Sequence, residues 1–216
     1  MFSPRGYIPK GMKSIVVAFV ALSVGSLHSQ AQNTYRLDPT RSLVEVHVDT
    51  AGALGFMGHP HVIQAPIEQG NFIYFPKDLG KSSVELVVDA SILLVMDPKI
   101  SAEDKKEIQE TMQSDRVLGV KQHPKIVFKS VKIELLDRSR LQITGNLAIR
   151  SQTNHVIVEV TLEQTEPELK ASGKSRFKQT SFGIQPVSAG LGTVRVKDQL
   201  NISFQVFGQP KPDHGA

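Results

Sequence analysis

Alternation of apolar and polar residues is the feature that most constrains the fold of this 216-residue chain. The alternation is clearest in residues 44–48, 141–149, 156–162 and 200–206, where every second position is apolar or glycine. A spacing of two places these side chains on one face of an extended strand. The pattern therefore predicts half-buried antiparallel strands with a polar outer face.

Short strands joined by turns account for most of the sequence. Sixteen Gly, twelve Pro and frequent Val, Ile and Thr favour this organisation. Counting the alternating segments predicts about eight strands, which is typical of an up-and-down barrel or a sandwich. A change of phase between Phe128 and Val131 predicts a β-bulge near Lys129-Ser130.

One segment, residues 101–116, interrupts the strand pattern. Ser101 is the expected N-cap of a helix, and acidic residues follow it in the first turn. Ile108 and Met112 are four residues apart and form a narrow apolar stripe. We expect one short surface helix over an end of the sheet, which serves as a solvated connection rather than as a binding element.

The N-terminal residues 1–31 predict a secretory signal peptide. Arg5, Lys10 and Lys13 precede the apolar run at 15–22, and Ser29-Gln30-Ala31 has the small residues of a cleavage site. The apolar run is shorter than the roughly 20 residues of a membrane-spanning helix. We therefore expect a periplasmic or secreted protein, with Met1 and Met12 as alternative start codons.

Residues 32–216 are expected to form one domain, because no repeat, low-complexity tract or linker divides them. Trp is absent and only three Tyr occur, so the aromatic girdles of an outer-membrane barrel are missing. We therefore predict that the chain is not an integral membrane protein. The oligomeric state of the protein stays open, and a dimer is one of the alternatives.

Charge and cysteine content narrow the choice of partners. The chain has 25 basic and 21 acidic residues, and the three basic residues of segment 1–31 account for most of the excess. The remaining net charge of +1 does not predict a nucleic-acid partner. No Cys is present, which excludes disulfides, thiol catalysis and Cys-ligated metals.

The segment Gly55–Val62 has the most unusual composition in the sequence. It contains His59 and His61, whose side chains point to one side of an extended chain. They could ligate a divalent metal, line the rim of a cavity, or simply flank a turn. A zinc site needs three or four ligands, and the sequence does not identify the third. The metal, rim and turn interpretations therefore all stay open.

Several motifs together resemble the YceI family of exported proteins. They include Tyr35-x-Leu37-Asp38-Pro39, the segment from His123 to Ser130, Ile143–Ile149, and Ser181-Phe182-Gly183-Ile184. They occur in the family's order and span nearly all of residues 32–216. The resemblance implies an all-β fold, an eight-stranded antiparallel lipocalin-like barrel, here with one short surface helix.

The same resemblance implies a ligand and a function. Family membership implies that the barrel holds a polyisoprenoid or similar apolar small molecule, for transport or storage, and that it is not an enzyme. The candidate ligand-binding residues are His59, His61, Phe128, Gly145 and Phe182. The alternative is a periplasmic metal-binding protein that uses His59 and His61 and holds a divalent metal; otherwise no cofactor is expected.

Two further observations bear on these expectations. The inward positions Gly145, Ala171 and Gly173 are small, which favours space in the lumen. Many relatives carry Arg and Asp just before Phe-Gly-Ile, where this chain has Gln179 and Ser181, so a head-group role of that Arg would be vacant or changed. No nucleophile motif such as Gly-x-Ser-x-Gly is present, which agrees with the absence of an enzymatic function.

Overall fold

The computed structural model of the chain describes residues 33–51, 60–189 and 194–211. The predicted signal segment lies outside these residues. The described strands are β1 Asn33–Leu37, β2 Leu43–Ala51, β3 His61–Gln64, β4 Ile67–Tyr74, β5 Ser83–Asp89, β6 Leu94–Val95, β7 Lys125–Leu135, β8 Arg140–Ile149, β9 Gln152–Thr165, β10 Glu168–Lys178, β11 Ser188–Ala189 and β12 Val194–Pro210, and the helix is α1 Ala102–Gln113.

Eight of these strands form a closed antiparallel barrel. Its circuit runs β1-β4-β5-β7-β8-β9-β10-β12, and it closes because β12 also pairs with β1. The other four described strands extend this circuit: β2 pairs with β12 beyond β1, β3 pairs with β2, β6 pairs with β3, and β11 pairs with β12. The predicted fold class is confirmed.

Interruptions of the strands have local causes. Between β1 and β2, Asp38 accepts hydrogen bonds from the N–H and the hydroxyl of Thr40, which holds a turn beside Pro39. Between β3 and β4, Pro66 has no N–H to offer to a ladder. In β7 the register with β8 shifts between Ser130 and Lys132, so the bulge predicted near this position is present.

Helix α1 begins as the sequence predicts. The hydroxyl of Ser101 accepts the backbone N–H of Asp104 at 3.0 Å. The outer face of the helix is exposed, whereas Met112 is buried and Ile108 is half-buried against the hydrophobic core. The helix lies over one end of the barrel, here called the α1 end, which also contains the turn at 150–151. It is more than a solvated connection, because its apolar stripe belongs to the core.

The opposite end, with the turns at 136–139 and 166–167, is filled by aromatic rings. Tyr35 stacks on Phe72 with ring centroids 6.3 Å apart, and Phe72 stacks on Tyr74 at 5.4 Å. Burial raises the pKa of the Tyr35 phenol, and the nearby Glu166 adds to this effect. These rings pack with buried aliphatic residues of β7 to β10, so this end of the barrel is packed with side chains.

Candidate ligand-binding site

The inside of the barrel contains a cavity of about 680 Å³. This volume lies within the range of roughly 300–1,000 Å³ that is usual for small-molecule sites. Inward residues of the strands supply most of its lining, because period-two alternation directs them to the lumen. Representative lining residues are Val44, Val46, Val48, Leu86, Val88, Leu147, Ile149, Val156, Val158, Ile202 and Phe204.

Helix α1 and its flanks line the same cavity. Ile108 and Met112 contribute from the helix, and Ile100, Val117 and Leu118 contribute from the segments around it. The predicted apolar stripe of the helix thus faces the lumen. An interpretation of this helix from its sequence alone misses that role, because a stripe of two residues does not reveal what covers it.

Polar groups in the described lining all come from the α1 end. They are Thr50, His61, Asp104, Glu107, Thr111, Ser175, Gln179, Ser188 and Arg195. The cavity is therefore asymmetric along the barrel axis, with an apolar body and some polar groups at one end. Such an arrangement matches an amphiphile that has a long apolar part and one polar end.

His61 is held in place by Asp97. Its Nδ1 lies 2.6 Å from Oδ2 of Asp97, and Oδ1 of Asp97 accepts the backbone N–H of Val62 at 2.8 Å. The Asp97 side chain is only 7% exposed, and that of His61 is 18% exposed. The pair lies at the start of β3, where His61 contributes to the lining. The rim position of His61 stays a prediction.

His59 and the glycines at 55 and 58 lie outside the described residues. Within the part of the chain that is described, no three His, Asp or Glu side chains are grouped so that they could hold a metal ion. One ring nitrogen of His61 is engaged with Asp97. The alternative metal site therefore has no supporting cluster in the described ranges.

Phe128 and Gly145 are in contact across neighbouring strands. Phe128 lines the cavity, but Gly145 is not part of its lining. A Cβ at position 145 would overlap the Phe128 ring, and one at position 173 would overlap first the backbone carbonyl of Glu159 and then the Phe204 ring. The interpretation of these two glycines as open space is wrong, because atoms of the adjacent strands occupy it.

Phe182 also lines the cavity, but it is only 1% exposed. Its ring packs edge-on against Phe177, with centroids 5.2 Å apart. Gln179 is also buried, and its side-chain amide donates to the carbonyl of Lys197 at 2.8 Å. The amide N–H of Gln179 is therefore bonded to the backbone of β12. This hydrogen bond joins the two segments at the α1 end of the barrel.

Asp97 is the residue that sequence reasoning missed. The signal available was an acid directly before Pro98, at the end of a short strand. Nothing in the spacing relates it to His61, which is 36 residues earlier. Only the pairing of β3 with β6 brings the two segments together.

Comparison with known proteins gives a consistent result. The family profile described as YceI-like domain matches residues 35–207. No curated protein matches the sequence.

Among solved structures, that of BcnA from Burkholderia cenocepacia superposes with a TM-score of 0.60 at 18% identity, covering 79% of this chain and 98% of BcnA. The YCEI protein of Campylobacter jejuni gives a TM-score of 0.50 at 13% identity, covering 70% of this chain and 82% of that protein. At these identities the likeness concerns the fold.

Proposed function

The chain belongs to the YceI-like domain family, and from that membership we propose that it is an exported binding protein that holds a long apolar lipid, such as a polyisoprenoid, in its barrel cavity. The observation that carries the proposal is the cavity of about 680 Å³ with a lining that is mostly aliphatic and aromatic. A protein of this kind would transport or store its ligand without changing it.

The energetics of such binding need few polar contacts. Each methylene group removed from water contributes about 0.8 kcal/mol, so ten of them supply roughly 8 kcal/mol before the costs of ordering the ligand. A preformed lumen keeps those costs low, because the strands are already fixed by their ladders. Affinity would therefore grow with chain length until the cavity is full.

Export is part of the proposal, and the features of residues 1–31 support it. Expression of the full chain in a Gram-negative host, followed by N-terminal sequencing of the periplasmic fraction, tests it. We expect a mature N-terminus near Gln32. Retention of the uncleaved chain in the cytoplasm would contradict export without affecting the proposed ligand.

Ligand binding is tested in two steps. Solvent extraction of protein purified without detergent, followed by mass spectrometry, should release an apolar lipid. The delipidated protein should then bind the neutral fluorophore N-phenyl-1-naphthylamine saturably, and geranylgeraniol should displace it. Empty extracts together with no saturable binding would contradict the proposal.

A matched pair of variants locates the binding in the lumen. Ala171 lines the cavity, and Ser172 is its neighbour on the other face of β10. Ala171→Leu should weaken geranylgeraniol binding by filling the lumen, whereas Ser172→Leu should leave it unchanged. Equal effects of the two variants, with melting temperatures near that of the wild type, would place the ligand elsewhere.

A further inference from the structure

We propose that His61 selects the polar head group of the ligand. Asp97 fixes the His61 imidazole as a hydrogen-bond acceptor. The site therefore selects a neutral head group that donates a hydrogen bond. The inference rests on the proposed function, because it concerns the polar end of a ligand in the same cavity. It adds a specificity-determining residue and a chemical class of head group.

Asp97 sets the proton position on His61. Its Oδ1 is oriented by the backbone N–H of Val62, and its Oδ2 lies 2.6 Å from Nδ1 of His61. An ionised carboxylate can only accept hydrogen bonds, so Nδ1 has to carry the hydrogen. In the neutral imidazole the lone pair then lies on Nε2.

Within the described part of the chain, that second nitrogen is left for a ligand. His61 lines the cavity, and among the described residues Nε2 makes no hydrogen bond. An acceptor in a mostly apolar cavity loses stabilisation when a ligand covers it without donating to it. A head group with an O–H avoids this loss, and one that only accepts hydrogen bonds does not.

Charge at this end of the cavity disfavours an anionic head. The charged residues of the described lining are Asp104 and Glu107 of α1 and Arg195 of β12. Two carboxylates and one guanidinium give these lining groups a negative net charge. The carboxylate of Asp97 lies directly behind the His61 imidazole. A neutral hydroxyl meets no repulsion there, whereas a carboxylate would.

Three probes with the same hydrocarbon chain separate these cases: geranylgeraniol, its methyl ether and geranylgeranoic acid. Displacement of N-phenyl-1-naphthylamine at pH 8 gives their relative affinities. For the wild type we expect the alcohol to bind roughly fivefold to tenfold more tightly than the ether, the size of one net hydrogen bond. The acid should bind less tightly than the alcohol.

Substitution of Asp97 provides the sharper test. In Asp97→Asn the side-chain oxygen can still accept from Val62, and the amide N–H faces Nδ1, which moves the imidazole hydrogen to Nε2. The methyl ether should then bind this variant more tightly than the wild type. Structural damage would lower the affinity for the ether rather than raise it. Asp137→Asn, at the opposite end of the barrel, is the control and should leave this affinity unchanged.

Direct observation of the imidazole completes the experiment. Nitrogen-15 NMR at pH 8 should show Nε2 of His61 without hydrogen in the wild type and with hydrogen in Asp97→Asn. In the displacement assay, His61→Phe should bind the alcohol and the ether with equal affinity. Equal binding of alcohol and ether to the wild type, or a hydrogen on its Nε2, overturns the inference and leaves the proposed function standing. If none of the probes binds, the inference and the proposed function both fail.

Discussion

Gln109 of α1 takes the place of a neighbouring strand beside Val95 of β6. Its Oε1 accepts the backbone N–H of Val95 at 3.0 Å, and its Nε2 donates to the carbonyl of Leu93 at 2.6 Å. An uncovered strand edge would present these groups to solvent or to another chain. One side-chain amide thus satisfies the edge of β6 and fixes the helix across the end of the cavity.

Removal of this amide should loosen the helix. We expect Gln109→Ala to lower the free energy of unfolding by about 1–3 kcal/mol, because two backbone groups lose their partners. Hydrogen exchange at the Val95 amide should accelerate in the same variant. Glu110→Ala, on the exposed face of the same helix, is the control and should change stability by less than roughly 0.5 kcal/mol. Unchanged exchange at Val95 would contradict the role given to Gln109.

A methyl group at position 145 should collide with Phe128. Because a Cβ there would overlap the ring, Gly145→Ala is expected to cost about 1–3 kcal/mol of stability in urea denaturation. Gly80→Ala is the matched control, since its added Cβ would meet only a side-chain oxygen of Asp78, at 3.4 Å. In a Phe128→Ala background the Gly145→Ala penalty should become smaller, but part of it should remain, because the added Cβ would also lie 2.8 Å from the backbone carbonyl oxygen of Lys129. An undiminished penalty there would show that Phe128 is not its cause.

Phe182 is expected to act mainly through packing. Its ring is almost fully buried and contacts Phe177, so Phe182→Ala should lower the free energy of unfolding by roughly 3–5 kcal/mol. Val131→Ala, at a position that is 59% exposed on the bulge of β7, should cost less than about 0.5 kcal/mol. Similar losses for the two variants, measured by thermal unfolding, would argue against a structural role of Phe182.

Acid sensitivity should arise in part at Asp89. The hydroxyl and backbone N–H of Ser91, followed by the Lys125 ammonium, lower the pKa of Asp89 to about 2. Since the folded pKa lies below the unfolded value of about 3.9, the stabilisation is present above pH 4 and is lost as the pH falls towards 2. Ser91→Ala should raise this pKa towards 3.8, as followed by carbon-13 NMR of the carboxyl group.

The Thr40 hydroxyl provides the reciprocal control for that titration. It is the main cause of the lowered pKa of Asp38, so Thr40→Val should raise the pKa of Asp38 and leave that of Asp89 unchanged. Ser91→Ala should do the reverse. A common shift of both carboxyl groups in either variant would indicate a global change rather than the loss of one hydrogen bond.

Much of the fold could be predicted from local signals. The alternating segments predicted the strands of β8, β9 and β12, the change of phase predicted the bulge at Ser130, and Ser101 predicted the start of α1. Each of these depends on residues that are close in sequence. Strand β1 has no comparable signal, because only Tyr35 and Leu37 of its five residues are apolar and the alternation is too short.

The site was less predictable, since its groups come from distant segments. His61 was identified as a candidate from its unusual neighbourhood, but its partner Asp97 reaches it only through the pairing of β3 with β6. The small size of Gly145 and Gly173 predicts space, although the pairing of strands places the Phe128 ring over the first, and the Glu159 carbonyl and the Phe204 ring over the second. Side-chain volume at one position does not reveal what a neighbouring strand contributes.

The sequence by itself determined that the chain forms amphipathic antiparallel strands with a family-specific set of motifs, because periodicity and turn chemistry are local properties. Only the tertiary structure decided where the barrel is packed and where it is hollow. It also decided that α1 covers the hollow end of the barrel through Gln109. It brings His61 to Asp97 at the polar end of the cavity. Those outcomes depend on strand register and helix docking, which join residues far apart along the chain.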